Sequence, residues 1–138
     1  MVPAAFAGRE DLIFRDARSD FSEEFSNSRI TDAQAFGEDK IAALTDNGVL
    51  WQYNRDSGDF EKVAEDVAAF DGSYYALAYI KENGSLWIDD EDVKPADGVT
   101  LQTENGYRKV MEDVVSLSYD RDTGFAVDKD GKAWFWGD

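Results

Sequence analysis

The sequence predicts an all-β fold of three propeller-like blades of antiparallel strands, a partial β-propeller, preceded by an N-terminal arm. The first observation is internal repetition: the segment Lys62–Trp87 recurs almost position for position as Lys109–Trp134, with the same interval between valine and tryptophan. A third, shorter copy ends at Trp51. The second observation is that every copy places an Asn-Gly or Asp-Gly pair between apolar runs, which predicts hairpins with type I′ turns. Each copy is therefore expected to fold as a small antiparallel sheet.

The chain begins with an arm, residues 1–29, that lies outside the repeats. Within it, Asp11–Arg15 favours one short strand. Further along, Ser19–Phe25 has a cap-like start, early acidic residues and two phenylalanines four positions apart, which predicts a short helix with one apolar edge. An irregular segment that covers one end of the stacked sheets is the alternative interpretation of the same residues.

The repeat domain, residues 30–138, divides into units at residues 30–53, 60–88 and 107–138. The second and third units are expected to start with an additional strand, around Val63 and Val110 respectively, so that a complete unit has four strands. Repeats of roughly 40 residues with four strands are typical of propeller blades. The 3.6-residue period of helical repeats is missing from these units, which disfavours helical solenoids.

Two features lie outside this regular pattern. An acidic insertion at residues 89–106 predicts an excursion from the second blade with a small hairpin around Thr100–Gln102. Ala133–Gly137 is expected to form an unpaired edge, and Leu12–Phe14 is the candidate strand to cover it. Because a propeller ring needs at least about four blades, three must be completed by a longer chain, by a second chain, or by the arm.

The third unit carries a family resemblance. The run Asp113–Leu117 followed by Phe125–Gly137 resembles the regulator of chromosome condensation repeat, in the divergent form found in bacterial extracellular proteins. The propeller-type β-lactamase inhibitory protein belongs to the same broad group. The resemblance covers roughly residues 30–138 and implies blade architecture. The sequence departs from the family pattern in lacking the glycine-rich loop after the first two tryptophans and the histidine after the first strand.

Composition sets limits on the function. The chain has 138 residues, 43% of them hydrophobic, and a formal net charge of −16, which disfavours binding to nucleic acid and to anionic membrane surfaces. It has no cysteine, so a disulfide framework is excluded. No apolar run is long enough to span a membrane. The start, Met1–Gly8, lacks the basic region and long apolar segment of an intact signal peptide, which is compatible with a mature exported chain.

No catalytic residue, cofactor or metal site is predicted. The absence of histidine excludes histidine-dependent catalysis, and thirty acidic residues produce adjacent carboxylates such as Glu65-Asp66 and Glu112-Asp113 by chance. These pairs are interpreted as polar corners before strands. The Asp128–Gly131 segment lacks the first and last ligands of a calcium loop and is interpreted as a hairpin turn. The run Asp89–Asp92 is interpreted as a solvated loop.

The candidate binding residues lie in the turns that follow the first strand of each unit, because repeats present such turns together on one rim. The predicted binding residues are Glu38, Asp39, Asp71, Tyr74, Tyr119, Asp120 and Arg121. The tryptophans are interpreted as core residues packed between blades. A carbohydrate-binding or carbohydrate-active protein that uses Trp87 and Asp89–Asp92 is the alternative function.

The predicted function is a non-enzymatic module that binds a protein partner, with a basic partner favoured by the acidic chain. The resemblance adds an extracellular or cell-surface location in a bacterium. A homodimer, or a place within a larger propeller, is expected because the end faces of a three-blade stack would expose apolar residues such as Val115, Leu117, Phe125 and Trp134 to water.

Overall fold

A computed structural model of the protein describes residues 16–89 and 93–137. Its described part contains twelve strands in three antiparallel sheets, and the helical content is one 3₁₀ turn and one short helix, α1. The all-β prediction of three propeller-like sheets is confirmed. The bounds are Arg18–Asp20 (3₁₀), α1 Glu23–Ser26, β1 Ile30–Phe36, β2 Lys40–Thr45, β3 Leu50–Asn54, β4 Asp59–Ala64, β5 Val67–Gly72, β6 Leu77–Lys81, β7 Leu86–Asp89, β8 Thr103–Glu104, β9 Tyr107–Met111, β10 Val114–Asp120, β11 Thr123–Asp128 and β12 Ala133–Gly137.

The sheets divide the chain differently from the predicted units. The first sheet has the order β1-β2-β3-β4, the second β5-β6-β7-β9-β8 and the third β10-β11-β12. The sequence placed β4 and β9 at the start of the second and third units, but both belong to the preceding sheets. There β4 is the outer strand of the first sheet, and β9 lies between β7 and the outer strand β8 of the second. For β4 the reason is a tight turn, in which the Gly58 N–H donates to the Asn54 carbonyl at 2.9 Å. This turn folds β4 back onto β3.

The three repeated hairpins have type I turns with a glycine bulge, which corrects the predicted type I′ turns. In the first, the Gly48 N–H donates to the Thr45 carbonyl at 3.0 Å, and only the glycine of the Asn-Gly pair has positive φ. This geometry makes a three-residue loop rather than a two-residue one. A type I′ pattern occurs instead at Asn105-Gly106, where both φ angles are positive (50° and 84°). It joins β8 to β9, a few residues after the predicted hairpin at Thr100–Gln102.

Successive sheets are joined by the same backbone contact. The N–H of Val67, the first residue of β5, donates to the Gly48 carbonyl at 2.8 Å, and the N–H of Val114 donates to the Gly84 carbonyl at 2.9 Å. The preceding residues Asp66 and Asp113 have left-handed φ angles of 57° and 60°, which turn the chain out of one sheet and into the next. This geometry supports the interpretation of the Glu-Asp pairs as corners.

The core consists of three apolar clusters. One lies between the first and second sheets, one between the second and third, and one between the first sheet and the arm. The arm contributes Phe25, which is 2% exposed and stacks on Phe60 at a centroid distance of 4.1 Å. In and around the segment predicted as a short helix, Arg18–Asp20 forms a 3₁₀ turn and Glu23–Ser26 forms α1, which covers the outer face of the first sheet. The strand predicted at residues 11–15 lies outside the described residues.

The third sheet is the least covered. Trp51 and Trp87 are buried as predicted, but Trp134 is 47% exposed and its neighbour Phe135 is 73% exposed. Within the described residues β12 has one strand neighbour, β11, as the sequence predicted for this edge. None of the described helices is long and apolar enough to cross a membrane.

Candidate functional site

The turns after the first strand of each sheet meet at one end of the structure. We call them the turn rim, residues 37–39, 73–76 and 121–122. Between the first and second turns, the Tyr74 hydroxyl donates to Glu38 Oε1 at 2.9 Å and Lys40 Nζ donates to the Tyr75 carbonyl at 2.8 Å. Next to the third turn, the Tyr119 N–H donates to Asp71 Oδ2 at 2.9 Å. The structure therefore brings together the three turns that the sequence selected.

The second turn has a fixed shape because Ser73 bonds to its own turn. The Ser73 hydroxyl, 1% exposed, accepts the N–H groups of Tyr75 and Ala76 at 3.2 and 3.0 Å and donates to the Ala76 carbonyl. Serine favours this kind of local turn. The turn holds Tyr74 and Tyr75 outward, 39% and 58% exposed, with their rings edge to face at 4.9 Å.

Contact between the first two turns depends on Gly37. A Cβ on this residue would lie 2.2 Å from the Tyr74 carbonyl oxygen, and its φ of 55° is left-handed. Any other residue would push the first turn away from the second and break the Tyr74–Glu38 bond. That bond raises the Tyr74 pKa above its ordinary value, because the carboxylate accepts the phenol proton and disfavours the phenolate.

The predicted binding residues fall into two groups. The side chains of Glu38, Asp39, Asp120 and Arg121 are exposed on or beside the rim, as is Tyr74.

Asp71 and Tyr119 have a different position. The half-buried Asp71 carboxylate also accepts its neighbour's N–H, that of Gly72, at 2.9 Å, and Tyr119 is 4% exposed with its ring 5.4 Å from that of Trp136. These two residues therefore hold the turns in place, and the Tyr119 ring is not open to a partner. Tyr75 was missed, although it directly follows Tyr74 in the same turn.

A polar groove of about 600 Å³ lies beside the rim, between the first and second sheets. Its lining includes five acidic and three basic residues. On one wall Arg55 Nη1 lies 3.2 Å from Asp39 Oδ2, and both side chains are largely exposed. The lining residues that carry charge are Glu38, Asp39, Lys40, Arg55, Asp56, Glu61, Lys62 and Asp89. The groove can accommodate an extended polypeptide segment that brings its own cations.

The geometry does not favour metal or sugar chemistry. Among residues 16–89 and 93–137, no three acidic side chains converge closely enough to hold a metal ion. Trp87, the aromatic residue of the carbohydrate alternative, is 3% exposed and packs with its ring 6.2 Å from that of Tyr79. It is therefore not available to stack on a sugar, because the neighbouring sheet covers it. Asp90–Asp92 of the same alternative lie outside the described residues.

Comparison with known proteins identifies the fold. No family model matches the chain, and no curated protein matches it in sequence. Among solved structures, human WBSCR16 is similar with a TM-score of 0.59 and 15% identity, covering 80% of this chain and 33% of its own. Prp20p from Saccharomyces cerevisiae has a TM-score of 0.56 and 14% identity, covering 80% of this chain and 31% of its own.

A further structure, yeast RCC1 (Prp20) bound to Kap60, has a TM-score of 0.59 and 14% identity, and covers 80% of this chain and 30% of its own. The Prp20p structure is reported together with the binding of Prp20p to Gsp1p and histones. The chain spans about a third of the length of these proteins. At this identity the likeness shows an RCC1-like repeat fold, in agreement with the predicted blades.

Proposed function

We propose that this chain is a non-enzymatic protein-interaction module that binds its partner through the turn rim and the adjoining polar groove. The observation that carries the proposal is a surface with two exposed tyrosines, on which hydrogen bonds join the first and second turns and tie Tyr119, beside the third turn, to Asp71. Tyrosine is enriched where proteins bind each other, because its ring supplies contact area and its hydroxyl a hydrogen bond. A rigid backbone beneath it reduces the entropy lost on binding.

The partner chemistry follows from the charge of the surface. Glu38, Asp39, Asp120 and Asp122 are exposed on or beside the turn rim, and the whole chain carries a net charge of −16. A partner with lysine and arginine side chains is attracted to such a surface, and the attraction weakens with added salt. The reported binding of Prp20p to Gsp1p and histones supports a protein as the class of partner.

The resemblance to divergent repeats of bacterial extracellular proteins supports a bacterial, exported chain at an extracellular or cell-surface location. Its relation to the group of the propeller-type β-lactamase inhibitory protein belongs to the same proposal. The division into an arm at residues 1–29 and a repeat domain at residues 30–138 also stays a prediction.

The test uses a defined probe, a fluorescent peptide rich in lysine and arginine, with a peptide of the same length rich in aspartate and glutamate as control. We expect the basic peptide to bind in low salt and the acidic one not to bind. Replacing both Tyr74 and Tyr75 by alanine should weaken binding at least about tenfold, since interface tyrosines each contribute substantially. The matched control is Val99→Ala, an exposed apolar residue outside the rim.

Two results would contradict the proposal. One is equal binding of the basic and acidic peptides, and the other is basic-peptide binding that the double tyrosine variant leaves unchanged while both proteins stay folded by circular dichroism. Raising the salt from 50 to 300 mM should weaken the basic-peptide complex if the exposed acids contribute. Glycan binding that Trp87→Ala removes without unfolding would support the carbohydrate alternative instead.

A further inference from the structure

Each sheet has two faces, and the chain uses them in a fixed order. We call the face toward the following sheet the leading face, and the face toward the preceding element the trailing face. The leading faces of the first two sheets are apolar and fully covered by the next sheet. Their residues, each at most 7% exposed, are Ala42, Leu44 and Leu50 in the first sheet and Ala78, Ile80, Leu86 and Ile88 in the second.

The third sheet presents the same row without a cover among the described residues. Strand pairing places Phe125 opposite Phe135 and Val127 opposite Ala133, the positions that Ala78–Ile88 and Ile80–Leu86 occupy in the second sheet. Phe125 and Phe135 lie 4.7 Å apart between ring centroids, and Phe135 is 73% exposed. The four residues of this row are uncharged, in a chain of net charge −16. The composition of the row is that of an interior surface.

The glycine of the third hairpin likewise has no following sheet beside it among the described residues. A Cβ on Gly48 or Gly84 would lie within 3.6 Å of the corner that starts the next sheet, at Asp66 or Asp113. A Cβ on Gly131 would have no atom of the described residues within 4 Å. The backbone junction that repeats twice within the chain is thus also open at the third sheet.

The opposite end of the stack offers a partly filled trailing face. The arm covers Trp51 there with Phe25, but beside it remains an apolar groove of about 490 Å³. Small or β-branched residues form its floor, and Ile41 is 42% exposed. The residues of the floor are Ile30, Ala33, Ile41 and Ala43. At the edge of this groove the Arg18 guanidinium forms an ion pair with the Asp16 carboxylate at 2.7 Å.

We propose that a second copy of this chain docks head to tail, with the trailing groove of its first sheet on the leading face of the third sheet. Both junctions inside the chain join a leading face to a trailing face, so the contact continues an interface already present twice. The two surfaces also match in shape, because Phe135 protrudes from one and alanines line the other. The docking surface is separate from the turn rim, and this proposal therefore goes beyond the proposed function.

This contact is heterologous, since different surfaces of the two copies meet. A heterologous contact produces a closed ring or an open chain of copies, depending on the rotation at the junction. Burial of large apolar side chains drives the association. The repulsion between two acidic copies is screened beyond about 8 Å at physiological salt, so association should strengthen as salt is added.

The test is sedimentation equilibrium of the whole chain and of two charge variants, Phe135→Asp and Ile41→Asp. We expect the unmodified chain to self-associate and each variant to dissociate at least about a hundredfold more readily, because an unpaired carboxylate is strongly disfavoured in an apolar contact. Val99→Asp is the matched control, since Val99 is 49% exposed and outside both surfaces, and it should associate like the unmodified chain. Circular dichroism establishes that each variant is folded.

Mixing the two variants gives the decisive result. Ile41→Asp retains an intact leading face and Phe135→Asp an intact trailing groove, so the mixture should form a one-to-one pair that does not grow further. A monomeric unmodified chain at high concentration would overturn the proposal. Self-association of Ile41→Asp alone would also overturn it and would indicate a symmetric contact between two leading faces. Failure of the folded mixture to pair would overturn it as well.

Discussion

Truncation of Phe25 tests whether the arm is a structural cap. Phe25 is 2% exposed, stacks face to face on Phe60 at 4.1 Å and meets Trp51 edge to face at 5.4 Å. Burying a phenylalanine contributes about 1.5–3 kcal/mol, and an aromatic pair adds about 0.5–1.5 kcal/mol. The arm can detach after truncation, so the loss is limited to its docking free energy. We therefore expect Phe25→Ala to lower the free energy of unfolding by about 3 kcal/mol, at the low end for buried phenylalanine.

Urea unfolding followed by tryptophan fluorescence measures this loss. The matched control is Phe135→Ala, the same truncation at a residue that is 73% exposed, and it should cost less than about 0.5 kcal/mol in the isolated chain. Hydrogen exchange should locate the effect in β3 and β4, which pack under the arm. A loss below about 1 kcal/mol, or one equal to that of Phe135→Ala, would refute the role assigned to the arm.

Three further predictions concern single contacts. Gly124→Ala should destabilise the folded chain by about 1–3 kcal/mol in thermal unfolding, because the new Cβ would lie 1.8 Å from the Trp136 ring. An unchanged melting temperature would contradict this packing. Asp66 has a left-handed φ of 57°, so Asp66→Val should lower the free energy of unfolding by about 1–2 kcal/mol, whereas Asp66→Gly should not lower it. Equal urea midpoints for the two variants would argue against left-handed strain at this position. The indole N–H of Trp134 donates to Asp128, and this bond together with backbone N–H groups lowers the Asp128 pKa below its ordinary value of 3.8. The contribution of the bond to folding stability is therefore present above pH 3.8, and it is lost as the pH falls through the lower pKa of the folded state. The Trp134 indole resonance should therefore shift with a midpoint below pH 3.8, and a midpoint at or above 3.8 would rule out the bond.

The sequence predicted which turns lie on one side of the fold, but it did not predict which of their side chains are exposed. The sequence selected the turns after each first strand because repeated units place equivalent turns on one side, and the Tyr74–Glu38 bond joins two of these turns. It did not distinguish Tyr74 from Tyr119, since both are tyrosines at the ends of strands. Their difference arises in the tertiary structure, where the third sheet buries Tyr119 against Trp136 and the second turn holds Tyr74 outward.

The sequence by itself determined the hairpins, the repeated unit and the all-β class, because Asn-Gly and Asp-Gly turns and alternating strands are local signals carried by neighbouring residues. Only the tertiary structure decided which sheet receives β4 and β9, because a strand's partner depends on the turn before it and the corner after it. It also decided the environment of equivalent tryptophans. Trp87 and Trp134 occupy the same position in their repeats, but the first is 3% exposed and the second 47%. The physical reason is that burial depends on the packing around a sheet, which a repeated local pattern does not encode.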